Sequence, residues 1–494
     1  MRRWLPGADQ KREDVWLSIA NMCPTPVGTY HTAPCFAANG TLTGGNAGTA
    51  NYVTYLCWSA QIADGTPVTY VAGEDSSGAG NFFVESLSGI TLTNRSLGGT
   101  NFGTGIDGTK IAFAQMGNTS LFSHNSGTSG SLYSRDASGS GNFALGSASG
   151  GKILAVQSNA LVMYNLYDGA ANKPNYWMAS DLFAPTTFTG GESVTATPVV
   201  TTPGEITAAV PFGDSIIFFK RAGVYRHKYV GTTDVKWTVQ LLRSDIGVKC
   251  QHAVIDTGNS LVFLGEQGVW EYDGATFRKL SEDADTSDGL GVSIYVQNPR
   301  ASMYFPGDDC CVWFNASDVL FYNRKFQAFG SMSITDTSGS VLTSHVPYVG
   351  KVPALVEAGV MPNAMAHSFV SGMQIVNVAA SSRRSGTSQW HGQIAASVTS
   401  GYIGEYDKDI TISQIVPMLR GNYYPFGVTN LPTTGLETTT PFAANSSTNR
   451  RRFDGFATVA YPNGNQVTIR NRITVGGAWE IADILIPERP SGKT

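Results

Sequence analysis

The sequence predicts an all-β chain: a β-propeller of about five to seven blades, with a smaller β platform domain formed by terminal segments. Three observations predict it. A hairpin phrase recurs along the chain, the strands that carry it are apolar on both faces, and its copies are spaced roughly 40 to 60 residues apart.

The clearest copies are GDSIIFFKRAGVYRHKY from Gly213 to Tyr229 and GNSLVFLGEQGVWEYDG from Gly258 to Gly274. Fainter ones begin at Gly108, Gly151 and Asp308. Their first strands read Ile216-Ile217-Phe218-Phe219, Leu261-Val262-Phe263-Leu264, Ile111-Ala112-Phe113-Ala114, Ile153-Leu154-Ala155-Val156 and Cys311-Val312-Trp313-Phe314. Successive side chains on a strand point to opposite faces, so an unbroken apolar run needs a packing layer on each side. Blades stacked around an axis supply both layers. A β-sandwich needs alternation, and a β-helix needs a period nearer 20 to 25. The partner strand Val269-Trp270-Glu271-Tyr272 is mixed in character and is expected to be less buried. The links KRAG, GEQG, QSNA and NASD carry the Gly, Asn, Asp and Ser of hairpin turns.

Residues 1–50 read as an N-terminal arm with one short amphipathic segment (Val15, Trp16, Ile19), 51–406 as the propeller, and 407–494 as a C-terminal platform. Tyr52–Ser59 with Val68–Ala72 is expected to open the first blade, and Trp390–Tyr406 to supply the last. In the platform, strand patterns fall at Phe456–Tyr461, Gln466–Ile473 and Trp479–Ile486.

Charged residues make up 14% of the 494, and the formal net charge is −4. That balance argues against a broad nucleic-acid-gripping face, which has to be basic. The opening MRRWLPGADQKREDVW lacks the apolar core of a secretory signal, and no stretch is apolar enough to span a membrane. The protein is therefore expected to be made in the cytoplasm and to stay there, or to leave by lysis or within a particle.

The candidate chemistry is sparse. Seven histidines (His31, His124, His227, His252, His345, His367, His391) show no metal-ligand spacing. Of six cysteines, Cys57, Cys250, Cys310 and Cys311 read as buried apolar residues, and Cys23 and Cys35 flank a Pro-rich stretch where they could pair. Glu282, Asp283, Asp285 and Asp288 form the densest acidic cluster and read as a solvated loop. Ser134-Arg135-Asp136-Ala137-Ser138-Gly139 faintly matches the Asp-box turn of sialidase propellers, without its terminal Trp and without recurrence. Arg450, Arg451 and Arg452 sit in a polar linker and read as a solvated loop, with contact to phosphate or to another subunit's acids as the alternative. Asn39, Asn94, Asn118, Asn315 and Asn445 head Asn-x-Ser/Thr triplets at close to chance frequency. The expectation is no catalytic, cofactor-binding or metal-binding residues, no cofactor, and no enzyme.

Three passages carry a family likeness: Asn21-Met22-Cys23-Pro24 ahead of Gly28; NYWMASDLFAPTTFTGG from Asn175 to Gly191; and Ile206-Thr207-Ala208-Ala209 running into the Gly213 hairpin, then Trp237, Asp245-Ile246-Gly247 and the Gly258 hairpin. In their order and spacing they resemble the β-propeller proteins of short-tailed bacteriophages, known as tail nozzle, tail tubular protein B or packaged-DNA stabilisation protein. The likeness is strongest over about residues 170–285. It implies a structural virion protein of the phage tail, assembled in the host cytoplasm. A homohexamer forms a tube below the portal-adaptor ring, extends the DNA channel, helps retain the genome and lets it out. The resemblance further allows a tail needle, plug or tail fibre as partner, and implies that DNA passes through the lumen without sequence-specific binding. The alternative is a carbohydrate-binding or depolymerising propeller on a virion or cell surface, suggested by the aromatic supply of Trp177, Trp237, Trp270 and Trp390. A sialidase-like hydrolase would need an arginine cluster and a Tyr/Glu pair in the central funnel.

Overall fold

The computed structural model describes most of residues 52–280 and 299–333, and outside that run a set of strands, chiefly through their backbone. The chain is all-β, and its centre is a propeller of six four-stranded antiparallel blades. The strands nearest the axis are Tyr52–Gln61, Ile111–Met116, Gly150–Gln157, Ile206–Phe212, Val254–Asp256 and Ala301–Phe305. Their starts keep the predicted spacing. Tyr52–Gln61 pairs with Pro67–Asp75, so the first blade begins where the sequence placed it.

A further four-stranded sheet combines Tyr348–Gly350, Asn363–Ser368 and Gly372–Ala379 with Cys35–Thr41 from near the start of the chain. Its strand Tyr348–Gly350 adjoins the inner strands of both the sixth and the first blade, so this sheet closes the ring. The sixth blade continues outward. Its last strand, Ala328–Ser333, is followed by Met22–Pro24, Tyr30–Thr32, Trp479–Leu485 and Gln414–Gly421 in one nine-stranded sheet. Gly330 faces Met22 and Pro24 at that junction, leaving no room for a side chain.

Two-sided burial is realised residue by residue. Along Ser215–Lys220, Ile216 and Phe218 pack into the core between blades 3 and 4, while Ile217 and Phe219 pack into the core between blades 4 and 5. In blade 3, Ala160, Val162 and Tyr164 face blade 4, and Leu161, Met163 and Leu166 face blade 2. The tight turn of QSNA is also explained. Ser158 (φ 51°) and Asn159 (φ 58°) both take the left-handed backbone that a two-residue primed turn requires.

Three expectations are corrected, and one open pairing is settled. The faint copies at Gly108 and Gly151 start innermost strands, whereas those at Gly213, Gly258 and Asp308 start second strands, so the phrase slips by one strand between blades. Apolar runs occur on both kinds of strand because both lie between neighbouring blades. Val269-Trp270-Glu271-Tyr272 is buried throughout, because Glu271 finds charged partners in Arg278 and Arg324. Ser397–Ser400, expected in a last blade, instead pairs with Val15–Ala20 and Val467–Asn471 in a six-stranded sheet. Cys23 is a free buried thiol and not half of a disulfide. The patterns at 466–473 and 479–486 are strands Val467–Asn471 and Trp479–Leu485, and 456–461 lies outside the described residues.

Candidate functional site

The passage that carries the family likeness folds into the joint between blades 4 and 5. Ile206–Ala209 opens the inner strand of blade 4, and its free inner edge is completed by a side chain. Gln251 Oε1 accepts from Ala209 N (2.8 Å), and Gln251 Nε2 donates to Ala209 O (2.9 Å). Thr207 Oγ1 donates to Val248 O at 2.8 Å, tying the same strand to the segment that starts blade 5. Asp245-Ile246-Gly247 lies between them. Ile246 is buried, and a Cβ on Gly247 would collide with the carbonyl oxygens of Lys220 and Arg221. Gly247→Ala is therefore expected to destabilise the protein by about 1–3 kcal/mol through backbone displacement, read as a lower denaturation midpoint.

Lys220, at the end of the second strand of blade 4, is 1% exposed. Its Nζ donates to Val199 O (2.9 Å) and Thr202 O (2.5 Å), and burial lowers its pKa. The adjoining Thr201 and Thr202 hydroxyls bond to Tyr225 OH at 2.9 and 2.7 Å. Lys220 thus acts as a clasp that fixes the crossover from blade 3 to blade 4.

Between blades 3 and 4, His227 sits in an aromatic box. Its Nδ1 is 2.7 Å from Tyr164 OH, and its ring centroid is 4.1 Å from Trp177 and 4.8 Å from Trp237. His227 is fully buried, and that burial pushes its pKa down to about 3.

The densest charged group links blades 5 and 6. Glu271 accepts from Ser260 Oγ (2.8 Å), Arg278 Nη2 (2.6 Å) and Arg324 Nη2 (2.9 Å). Burial alone would raise its carboxyl, but the hydrogen bonds from Arg278 and Ser260 and the Arg324 charge outweigh it and hold it below the usual range. Arg324 also reaches Asp309 at 3.7 Å, and Asp309 accepts from Tyr304 OH at 2.8 Å. A carboxylate held as an anion by three donors is suited to latching two blades and is opposite in character to a general acid. Glu271→Gln is expected to cost on the order of 2 kcal/mol by leaving Arg324 short of charge. Arg278→Ala is expected to cost under about 1 kcal/mol, because Arg278 is 62% exposed. Paired urea titrations check the difference.

The Asp-box-like passage is a further clasp. Arg135 donates to Tyr70 OH of blade 1 (2.6 Å), Gly139 O (2.5 Å) and Gly141 O (2.7 Å). Asp136 Oδ1 accepts from Ser138 N and Oγ, which lowers its pKa. The same Asx turn recurs at Asp64, Asp107, Asp168, Asp256 and Asp273, so the turn repeats where the wording does not.

The predicted candidates are not brought together. His124 and His227 are buried in different blades, and His252 lies in a single-turn segment before blade 5. Among the described residues, no three His, Cys, Asp or Glu are grouped to hold a metal ion. Cys57, Cys310 and Cys311 are buried thiols, and Cys250 is a half-buried one. Trp177, Trp237 and Trp270, offered as aromatics for sugar stacking, are 4%, 6% and 7% exposed and serve as packing anchors. Arg450–Arg452, Glu282, Asp283, Asp285, Asp288, His345, His391, Asn445 and Trp390 lie outside the described residues. The side chains of His31, Cys35, Asn39 and His367 do as well.

No family model and no curated protein matches the chain. Solved structures similar to it include apo AztD from Citrobacter koseri, at 10% identity and TM-score 0.37, covering 64% of this chain and 84% of that one. An exo-β-1,3-galactanase from Phanerochaete chrysosporium is similar at 10% identity and TM-score 0.28, covering 91% and 99%. A glycoside hydrolase family 43 arabinoxylan arabinofuranohydrolase from Bacillus subtilis is similar at 8% identity and TM-score 0.25, covering 89% and 97%. Likeness at this level carries no activity across to this chain. The expectation that the chain is no enzyme is withdrawn: two of the structures it is similar to carry the names of enzymes.

Proposed function

We propose that this propeller is a structural hub of a short-tailed phage tail. In this reading a ring of copies sits below the portal-adaptor complex and extends the DNA channel. It helps retain the packaged genome and releases it at ejection. The observation that carries the reading is the ordered passage from Ile206 to Gly274. Its distinctive words have mechanical places in the joint of blades 4 and 5 and, for Trp237, in the seam of blades 3 and 4. Gly247 permits a backbone contact, Thr207 ties strand to crossover, and Trp237 opens the outer strand. A weakly acidic chain supports the same reading, since walls of like sign let a polyanion slide. Native mass spectrometry of the protein, alone and with the purified adaptor ring, tests it. A hexamer is the expected species, and a chain that stays monomeric with the connector would sink the proposal.

A second reading is a carbohydrate-binding or depolymerising propeller. One observation favours it: Phe183, in the Asn175–Gly191 passage, is 74% exposed and has a left-handed backbone (φ 58°). Its loop is fixed by Asp181, whose Oδ1 accepts from Leu182 N and Glu192 N at 2.9 and 2.8 Å. A rigid, exposed aromatic face is the kind of platform on which a sugar ring stacks. Glycan-array binding lost in Phe183→Ala, or loss of polymer viscosity, supports this reading, and silence in both assays removes it.

A further inference from the structure

The outer edges of the blades are not treated alike. Among the described residues, the chain covers two of them itself. Met22–Pro24 adds to blade 6, and Thr43 bridges Thr91 and accepts from Leu92 N (2.8 Å) on the edge of blade 1. Three others are blunted by their own sequence. Ala144–Ser147 is four residues long with a register shift. Val194–Pro198 ends in proline, and Phe277–Lys279 is three residues long with two cations. Short edges, proline, irregular register and charge are the usual defences of an open sheet edge.

The edge of blade 4 has none of these over most of its length. Trp237–Arg243 is seven residues long, and its central part, Thr238 to Leu242, is uncharged. It runs in regular register against Tyr225–Tyr229 through Leu241, with the one shift after that point. Thr238, Val239, Gln240 and Leu241 are all exposed, and Val239 and Leu241 are each 38% exposed on the same face of the strand. We propose that this edge pairs antiparallel with the same strand of a second copy of the chain. Self-complementarity selects that occupant. About a two-fold axis at residue 239 or 240, odd positions oppose odd and even oppose even, so Val239 meets Val239 or Leu241 and Thr238 meets Gln240 or Leu242. No like charges are opposed within the paired stretch. The pairing does not depend on either functional reading above.

Hydrogen exchange of the Thr238–Leu241 amides, measured from low to high micromolar protein alongside sedimentation velocity, tests the pairing. Exchange is expected to slow about tenfold or more as the pair forms. Val239→Lys and Val239→Glu, each alone, are expected to abolish the slowing by placing like charges directly opposite each other about an axis at 239, or on the adjacent diagonal about an axis at 240. Mixing the two variants is expected to restore it. Exchange that is independent of concentration would overturn the proposal. So would protection that survives in Val239→Lys, or protection that arises only on adding a different protein. Leu241→Lys repeats the test at a second exposed position and guards against a local fault at residue 239.

Discussion

Phe218→Ala is expected to lower the stability of the propeller by about 3–5 kcal/mol, the range for a large aromatic removed from a fully packed site. Phe218 is 0% exposed. Its ring stacks on Tyr225 of its own blade (4.7 Å) and lies 5.3 Å from Tyr164 of blade 3, so truncation opens the seam as well as the sheet. Phe219 and Phe263 make the corresponding contact across the next seam, at 5.1 Å, and Phe263→Ala is expected to cost a similar amount. Because Phe218 and Phe219 face different cores, their truncations are expected to add. Phe219 and Phe263 touch, and should couple by about 0.5–1.5 kcal/mol in a double-mutant cycle. Urea denaturation followed by tryptophan fluorescence reads both quantities. Unchanged melting and unchanged proteolysis of Phe263→Ala would remove the two-sided packing argument.

That argument was legible in the sequence because it needs only the two-residue period of a strand. Four apolar residues in a row at Ile216–Phe219 cannot be satisfied by one packing layer, wherever the rest of the chain lies. What was not legible depends on partners remote in sequence. Glu271 looked like a surface residue because Arg324, which helps to hold it as an anion, lies in the next blade. Trp177 and Trp237 looked available because nothing local shows that His227 and Tyr164 close over them. The pairing of Cys35–Thr41 with Gly372–Ala379 joins segments more than 300 residues apart, and short-range turn chemistry gives no signal for it. Gly247 shows both sides. Its place in Asp245-Ile246-Gly247, between the two hairpins, was readable in the sequence, whereas its reason, the approach of the Lys220–Arg221 backbone, is visible only in three dimensions.

The buried histidines give the second large effect, a loss of stability in mild acid. Burial pushes His227 down to about 3 and His124 to about 4, from an ordinary value of 6.5. Both are neutral in the folded protein and protonate once it unfolds. The sign follows from proton counting. Above pH 6.5 neither state holds the extra proton and the full stability is present. As pH falls below 6.5 the unfolded state binds a proton that the folded state refuses, and stability drops by about 1.4 kcal/mol per pH unit per histidine. The loss ends for each residue near its folded pKa. His252 is also pushed down to about 4, but its surface is only partly covered and its share is expected to be smaller. Carboxylates add a later stage. Asp168 is lowered to about 2, first by its hydrogen bond from Lys173 and then by the Ala171 amide, so its contribution is present above the ordinary aspartate range and is lost as pH falls toward 2. Denaturant midpoints measured at pH 7.5, 6 and 5 are therefore expected to fall slightly between 7.5 and 6 and more steeply between 6 and 5. His227→Phe should flatten the slope by about one proton, although it leaves Tyr164 OH without its ring-nitrogen partner and lowers stability at neutral pH. A midpoint constant from pH 7.5 to 5 would show that the His227 box is open to water or to a counter-charge, and the packing assigned to the seam between blades 3 and 4 would have to be redrawn.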